Sequence, residues 1–88
     1  MIQKEITVTN RLGLHARPAA KVVQTAGEFK SEIRLKRDDL EVNAKSILGV
    51  MTLAAEMGSK VIIWAEGEDE IGAVEALAKL FEDKFGED

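Results

Sequence analysis

The sequence predicts an α+β fold in which three helices cover one face of a four-stranded antiparallel sheet, an open-faced β-sandwich. Four short stretches alternate apolar and polar residues or are rich in β-branched ones, as strands are. Three other stretches space their apolar residues three or four apart, as amphipathic helices do. The predicted order is β-α-β-β-α-β-α, with the helices segregated on one face of the sheet. At 88 residues, the chain is expected to fold as one domain over residues 1–88.

The four strands are predicted from alternation and from turn residues. The first is expected to be half-buried, and Asp38-Asp39 forms the turn of a hairpin between the second and third. In the fourth, Ile62 and Trp64 are expected on the open face, where Trp64 would lie over Arg34 or Lys36. The predicted strands cover residues 2–9, 31–37, 40–42 and 60–65. Ile2, Lys4, Ile6 and Val8 alternate with polar residues in the first strand, and Ile33 and Leu35 are expected to face inward in the second.

The three helices are predicted from apolar periodicity and from capping residues. The first covers residues 16–26 and ends at Gly27 in the manner of a C-cap. Ser46 is expected to cap a short second helix, and Asp69 a final one. The predicted buried face of the final helix comprises Ile71, Val74, Leu77, Ala78, Phe81 and Phe85.

His15 lies where the first helix is predicted to begin, three residues before the only proline. Pro18 suits a first helical turn, because its missing N–H would have no partner there. At such a terminus, the free N–H groups of Ala16 and Arg17 and the helix dipole favour an anion. Arg17 adds a planar cation, and neutral imidazole can act as a nucleophile. The combination predicts a group that accepts phosphate and hands it on.

Composition excludes several other functions. A net charge of −4 and a pI near 5.0 argue against non-specific nucleic-acid binding. One histidine and no cysteine leave only carboxylates as metal ligands, so neither a metal nor another cofactor is expected. No apolar run approaches the ~18 residues of a membrane span, and the absence of cysteine fits a cytoplasmic protein. The positive face expected around His15 comprises Lys4, Arg11, Arg17 and Lys21.

Three segments resemble the histidine-containing phosphocarrier (HPr) family of the bacterial phosphoenolpyruvate-dependent phosphotransferase system. Gly13-Leu14-His15-Ala16-Arg17-Pro18-Ala19 is similar to the active-site signature of the family. Lys45-Ser46-Ile47-Leu48-Gly49-Val50-Met51 resembles its regulatory-serine segment, and Ala65-Glu66-Gly67-Glu68-Asp69-Glu70 resembles the turn before its last helix. The resemblance covers nearly the whole chain, and it implies a sheet in which the first and fourth strands are central neighbours.

The resemblance implies a phosphocarrier for sugar uptake, a stoichiometric carrier and not an enzyme. Enzyme I would phosphorylate His15, at Nδ1 in the family, and enzyme IIA domains would receive the phosphoryl group. Arg17 would steady the phosphate oxygens. A serine kinase/phosphorylase and a transcriptional regulator would act through Ser46. The carrier is expected to be a monomer, with a partner-binding patch comprising Ala20, Lys21, Ile47, Leu48 and Met51.

Two alternatives stay open at this point. The acidic tail, residues 81–88, resembles the nitrogen-related regulatory branch of the same system. A purely regulatory binding module, acting through phospho-Ser46, is the other. The chain also departs from the family pattern, because Leu12 stands where many members have a small polar residue. Some members end near residue 85 with a terminal carboxylate close to the site, a contact that is not expected here.

Overall fold

The computed structural model describes residues 1–87 and confirms the predicted element order. One short 3-10 turn follows the last α-helix, beyond the predicted elements. No helix among these residues has the length and the apolar character needed to cross a membrane. The elements are β1 Ile2–Thr7, α1 Ala16–Ala26, β2 Glu32–Arg37, β3 Leu40–Asn43, α2 Ile47–Leu53, β4 Lys60–Glu66, α3 Glu70–Glu82 and the 3-10 turn Lys84–Gly86.

The sheet has the strand order β1-β4-β2-β3, and every neighbouring pair is antiparallel. β1 and β4 are neighbours, as the family resemblance implies, with Ile6 opposite Val61. The expectation that both are central is wrong, because β1 forms one edge of the sheet and β4 and β2 are the central strands. The β2–β3 hairpin supplies the other edge, so β4 is the strand that joins β1 to this hairpin.

Alternation along the strands separates the core from the open face. The inward side chains of the central strands, including Ile33, Leu35 and Ile63, are fully buried beneath the helices. Trp64 lies on the open face, where Arg34 and Lys36 stand 5.4 and 5.6 Å from its ring centroid. These two cations cover the indole as the sequence predicts, so the open face carries a cation–π contact and not a bare aromatic ring.

The buried face of α3 departs from the prediction at both ends. Ile71 is 59% exposed, because it lies in the first turn and roughly a quarter turn away from the centre of the buried face. Phe85 is buried as predicted but not within α3, which ends at Glu82. Phe85 instead belongs to the 3-10 turn, and its ring packs edge-on against Phe81 at 4.8 Å. The chain therefore folds back onto the core after α3.

The predicted cap at Asp69 works differently from the expectation. Asp69 occupies the N-cap position of α3 but makes no side-chain cap bond. Its carboxylate accepts hydrogen bonds from the backbone N–H and hydroxyl of Ser31 and from the N–H of Lys30. The Ser31 hydroxyl is the main cause that lowers the Asp69 pKa. Gly27 ends α1 as predicted, although its φ of −66° is right-handed. Asp69 thus ties the start of α3 to the start of β2.

Candidate functional site

A tight loop after β1 delivers His15 to the start of α1. Asn10 is fully buried in this loop, and its Nδ2 donates to the carbonyl oxygen of Gly13 at 2.7 Å. Gly13 N–H donates back to the Asn10 carbonyl at 3.2 Å. Leu14 is buried, while Leu12 is exposed and apolar and can offer no hydrogen bond. The loop is therefore held by the backbone and by Asn10.

Gly13 is the residue that lets this loop pack closely. Its φ of +67° lies in the left-handed region, where side chains with a Cβ are disfavoured. A Cβ at this position would overlap the carbonyl oxygen of Ala55 and lie 2.9 Å from the Cα of Glu56. The next residue, Leu14, donates its N–H to the same Ala55 oxygen at 2.8 Å. These contacts fix the His15 loop against the segment that follows α2.

His15 is the N-cap residue of α1, as the sequence predicts. Its side chain makes no cap bond, so the imidazole is not used to satisfy the helix. The backbone N–H groups available to a ligand at this terminus are those of Ala16 and Arg17, since Pro18 has none. The first turn carries no acidic side chain, and Arg17 is exposed. The helix start is therefore open to an anion.

Glu87 supplies an interaction that the sequence analysis missed. Its Oε1 lies 2.8 Å from Nε2 of His15, in a contact where the His15 and Glu87 side chains are 37% and 19% exposed. Asn10 Nδ2 donates to the same oxygen at 3.0 Å. The hydrogen bond from His15 is the main cause that lowers the Glu87 pKa, and that from Asn10 is the second. A charge-assisted pair therefore connects the chain terminus to the imidazole.

Ser46 begins α2, the helix that precedes the segment in contact with this loop. The Ser46 hydroxyl accepts the N–H of Gly49 at 3.1 Å, which confirms the predicted N-cap. Val50 and Leu53 enter the core, whereas Ile47, Leu48 and Met51 stay exposed. Leu48 is the most open of these, at 75%. We name the three side chains Ile47, Leu48 and Met51 the α2 patch.

The predicted partner residues on α1 differ in their surroundings. Ala20 is exposed. Lys21 is half-buried, and its amine donates to the carbonyl oxygen of Phe85.

Within residues 1–87, no three side chains of the metal-ligating types come together in a way that could hold a metal ion. The chemistry of the described site is thus that of one imidazole, one guanidinium, one carboxylate and a helix terminus.

Glu87 and Asn10 could have been found only in part from the sequence. An asparagine that opens a glycine-containing loop is typical of a side chain that bonds nearby backbone. Nothing in the acidic tail distinguishes Glu87 from the other carboxylates there. Its position depends on the turn after α3, which no local sequence pattern predicts.

Comparisons with known proteins agree with this fold. The family profile described as "PTS HPr component phosphorylation site" matches residues 2–83. The phosphocarrier protein HPr of Xylella fastidiosa is 53% identical over 88 residues, covering 100% of this chain and 99% of the relative. The crystal structure of HPr-C-His from Thermoanaerobacter tengcongensis superposes with a TM-score of 0.96 at 50% identity, covering 100% and 99% of the two chains.

A further similar solved structure is a dimer. The Crh protein of Bacillus subtilis, described as a catabolite repression protein and a domain-swapped dimer, has a TM-score of 0.76 and 45% identity. The superposition covers 96% of this chain and 97% of that one. Taken with the profile match, these similarities show that the chain belongs to the HPr family of the phosphotransferase system. The relatives of this family named HPr are phosphocarrier proteins, which carry a phosphoryl group.

Proposed function

We propose that His15 accepts a phosphoryl group from enzyme I and passes it to enzyme IIA domains for sugar uptake. The observation that carries this proposal is an imidazole at an open helix N-terminus, within a chain of the HPr family. Phosphoryl transfer needs mainly positioning and charge stabilisation. The Ala16 and Arg17 N–H groups and the Arg17 guanidinium supply both, and the partner supplies the rest of the site.

The test of this proposal is incubation with phosphoenolpyruvate and enzyme I, followed by intact mass measurement. We expect one added phosphoryl group that is labile in acid and stable in base, because a P–N bond behaves oppositely to a phosphoester. No mass increase, or an adduct with the stability of a phosphoester, would contradict the proposal.

The α2 patch and the exposed Ala20 are proposed to form the docking surface for both partners, with Lys21 at its edge. The apolar side chains of the patch have no place in the core, and they lie on the helix whose following segment holds the His15 loop. The positive charges of Arg11 and Arg17 would complement an acidic partner. The carrier is proposed to act as a cytoplasmic monomer, although the Crh relative forms a swapped dimer.

Arg17 is predicted to support the transfer step. Arg17→Ala should slow phosphorylation by enzyme I by roughly 10- to 100-fold, because a charge-assisted hydrogen bond to the phosphate is lost. Arg17→Lys should recover only part of the rate, since lysine lacks the planar fork. The measurement is the initial rate of phosphorylation under limiting enzyme I. Arg11→Ala is the matched control, because Arg11 is also an exposed arginine but lies in the loop before α1, two residues before Gly13. An equal loss in Arg11→Ala would mean general charge steering and no specific role for Arg17.

A second candidate function is regulation through Ser46, which the similarity to the Crh protein favours. Phosphate at this helix terminus would meet the positive end of the dipole, and the fold should persist. The added anion would lie next to Ile47 and Leu48 and repel an acidic docking surface. A serine kinase/phosphorylase would add and remove it, and a transcriptional regulator would bind the modified form. A nitrogen-related regulatory carrier is the remaining alternative, and the rate with each enzyme I paralogue separates the two branches.

Ser46 variants should separate its capping role from its charge effect. Ser46→Ala should lower the free energy of unfolding by about 0.5–2 kcal/mol, because the Gly49 N–H loses its acceptor. Ser46→Asp keeps an acceptor and adds a charge, so it should fold normally and bind enzyme I more weakly. That deficit should shrink as salt rises. Calorimetric titration at two salt concentrations measures it, and a deficit insensitive to salt would overturn the electrostatic explanation.

A further inference from the structure

We propose that Glu87 is a positioning residue for His15, which fixes the proton on Nε2 and thereby leaves Nδ1 as the nucleophilic nitrogen. The proposal deepens the phosphocarrier function and rests on it for its effect on the phosphorylation equilibrium. An ionised carboxylate can only accept hydrogen bonds. The 2.8 Å contact between Glu87 Oε1 and Nε2 therefore requires an Nε2–H, and the neutral ring then has its lone pair on Nδ1.

Asn10 holds the carboxylate in place. Its Nδ2 group divides its two hydrogens between Glu87 Oε1, at 3.0 Å, and the Gly13 carbonyl, at 2.7 Å. Asn10 is fully buried, so its side chain is fixed by the loop that also carries His15. The same rigid loop therefore holds both Glu87 and His15 in position.

The turn after α3 brings Glu87 to this place. Phe85 anchors the turn in the core, and Lys21 of α1 donates to the Phe85 carbonyl oxygen. Gly86 and Glu87 donate their N–H groups back to Asp83 and Lys84 at 3.0 and 2.9 Å.

The backbone of this turn is itself unusual. Lys84 and Phe85 have φ values of +54° and +56°, a region that non-glycine residues seldom occupy. Such a conformation persists where surrounding contacts determine it. Residues 84–87 are therefore an ordered part of the site.

The chemical consequence follows from the proton on Nε2. The Nδ1 lone pair attacks phosphorus, the bond between phosphorus and the donor enzyme breaks, and its electron pair leaves with the donor. Nε2 keeps its proton throughout, so the ring becomes an imidazolium that bears the phosphoryl group on Nδ1. The Glu87 carboxylate compensates this new positive charge at the opposite nitrogen. When the phosphoryl group passes to a partner, the P–N bond breaks, its electron pair returns to Nδ1, and the ring becomes neutral again.

The test compares Glu87→Gln and Glu87→Ala with the unaltered chain. In the unphosphorylated protein, at alkaline pH, long-range ¹⁵N NMR reports which ring nitrogen carries the proton. We expect a single Nε2–H form with a slowly exchanging proton in the unaltered chain, and mixed tautomers with fast exchange in Glu87→Ala. Glu87→Gln keeps an acceptor and should be intermediate. Glu82→Gln is the matched control, because it removes one exposed acidic charge from α3.

The phosphorylation equilibrium with enzyme I gives a second readout. Glu87→Ala should move this equilibrium toward the donor by roughly three- to tenfold, and Glu82→Gln should leave it unchanged. Identical ring ¹⁵N shifts and proton exchange in Glu87→Ala and the unaltered chain would overturn the proposal, as would a proton on Nδ1 or a phosphoryl group on Nε2. If the unaltered chain takes up no phosphate, the phosphocarrier function fails, and the NMR comparison still decides the role of Glu87.

Discussion

Replacement of His15 by alanine is expected to abolish phosphorylation by enzyme I while the fold stays intact. The imidazole is the only nucleophile at the open start of α1, so its loss leaves the helix terminus without an acceptor for the phosphoryl group. The fold should persist because the side chain makes no cap bond and is 37% exposed. Loss of the Glu87 contact should lower the free energy of unfolding only slightly, because both side chains are partly exposed to solvent. Intact mass and thermal denaturation measure the two effects.

Ser46→Ala is the control for this prediction. It removes a hydroxyl that could itself take up phosphate, and it leaves the His15 loop unchanged. This variant should gain the phosphoryl group as the unaltered chain does. If His15→Ala still accepts phosphate from enzyme I, the site is assigned to the wrong residue.

Gly13→Ala is expected to have the largest effect on stability. Its positive φ strains any residue with a Cβ, and the added Cβ would overlap the Ala55 carbonyl oxygen and approach the Glu56 Cα to 2.9 Å. Neither obstacle is a flexible side chain, so the backbone itself must shift. Strain and overlap together should lower the free energy of unfolding by about 2–6 kcal/mol. Because the shift would displace His15 from α1, the phosphorylation rate should fall as well.

Gly58→Ala separates the two causes. Gly58 also has a positive φ, of +93°, but an added Cβ there would meet nothing within 4 Å. Its destabilisation, measured by urea denaturation, should reflect the backbone strain alone. A loss in Gly13→Ala no larger than that in Gly58→Ala would show that the close packing against Ala55 and Glu56 is unimportant.

The local features of this site are predictable because they depend on short-range chemistry. A proline three residues after His15 fixes where α1 begins, and Ser46 carries the cap that starts α2. Alternation along β2 and β4 likewise assigns Ile33 and Ile63 to the core. Each of these predictions uses residues within one turn or one strand of one another.

The features that the sequence does not predict depend on long-range packing. Asp69 is a typical N-cap residue, but the hydroxyl and N–H of Ser31, 38 positions earlier, take its carboxylate. The helical period continues to Phe85, yet the helix ends first and Phe85 is buried from a 3-10 turn. That turn decides where Glu87 lies, 72 positions after His15. No local rule could have supplied the carboxylate at the imidazole.

The claim that Nδ1 of His15 accepts the phosphoryl group is best tested by locating that group in the phosphorylated protein. Two-dimensional ³¹P–¹⁵N correlation NMR on uniformly ¹⁵N-labelled chain, phosphorylated by enzyme I and kept at alkaline pH, identifies the bonded nitrogen. We expect one P–N coupling, to Nδ1 of His15, with Nε2 still protonated. A phosphoryl group on Nε2, or on a hydroxyl such as that of Ser46, would contradict it.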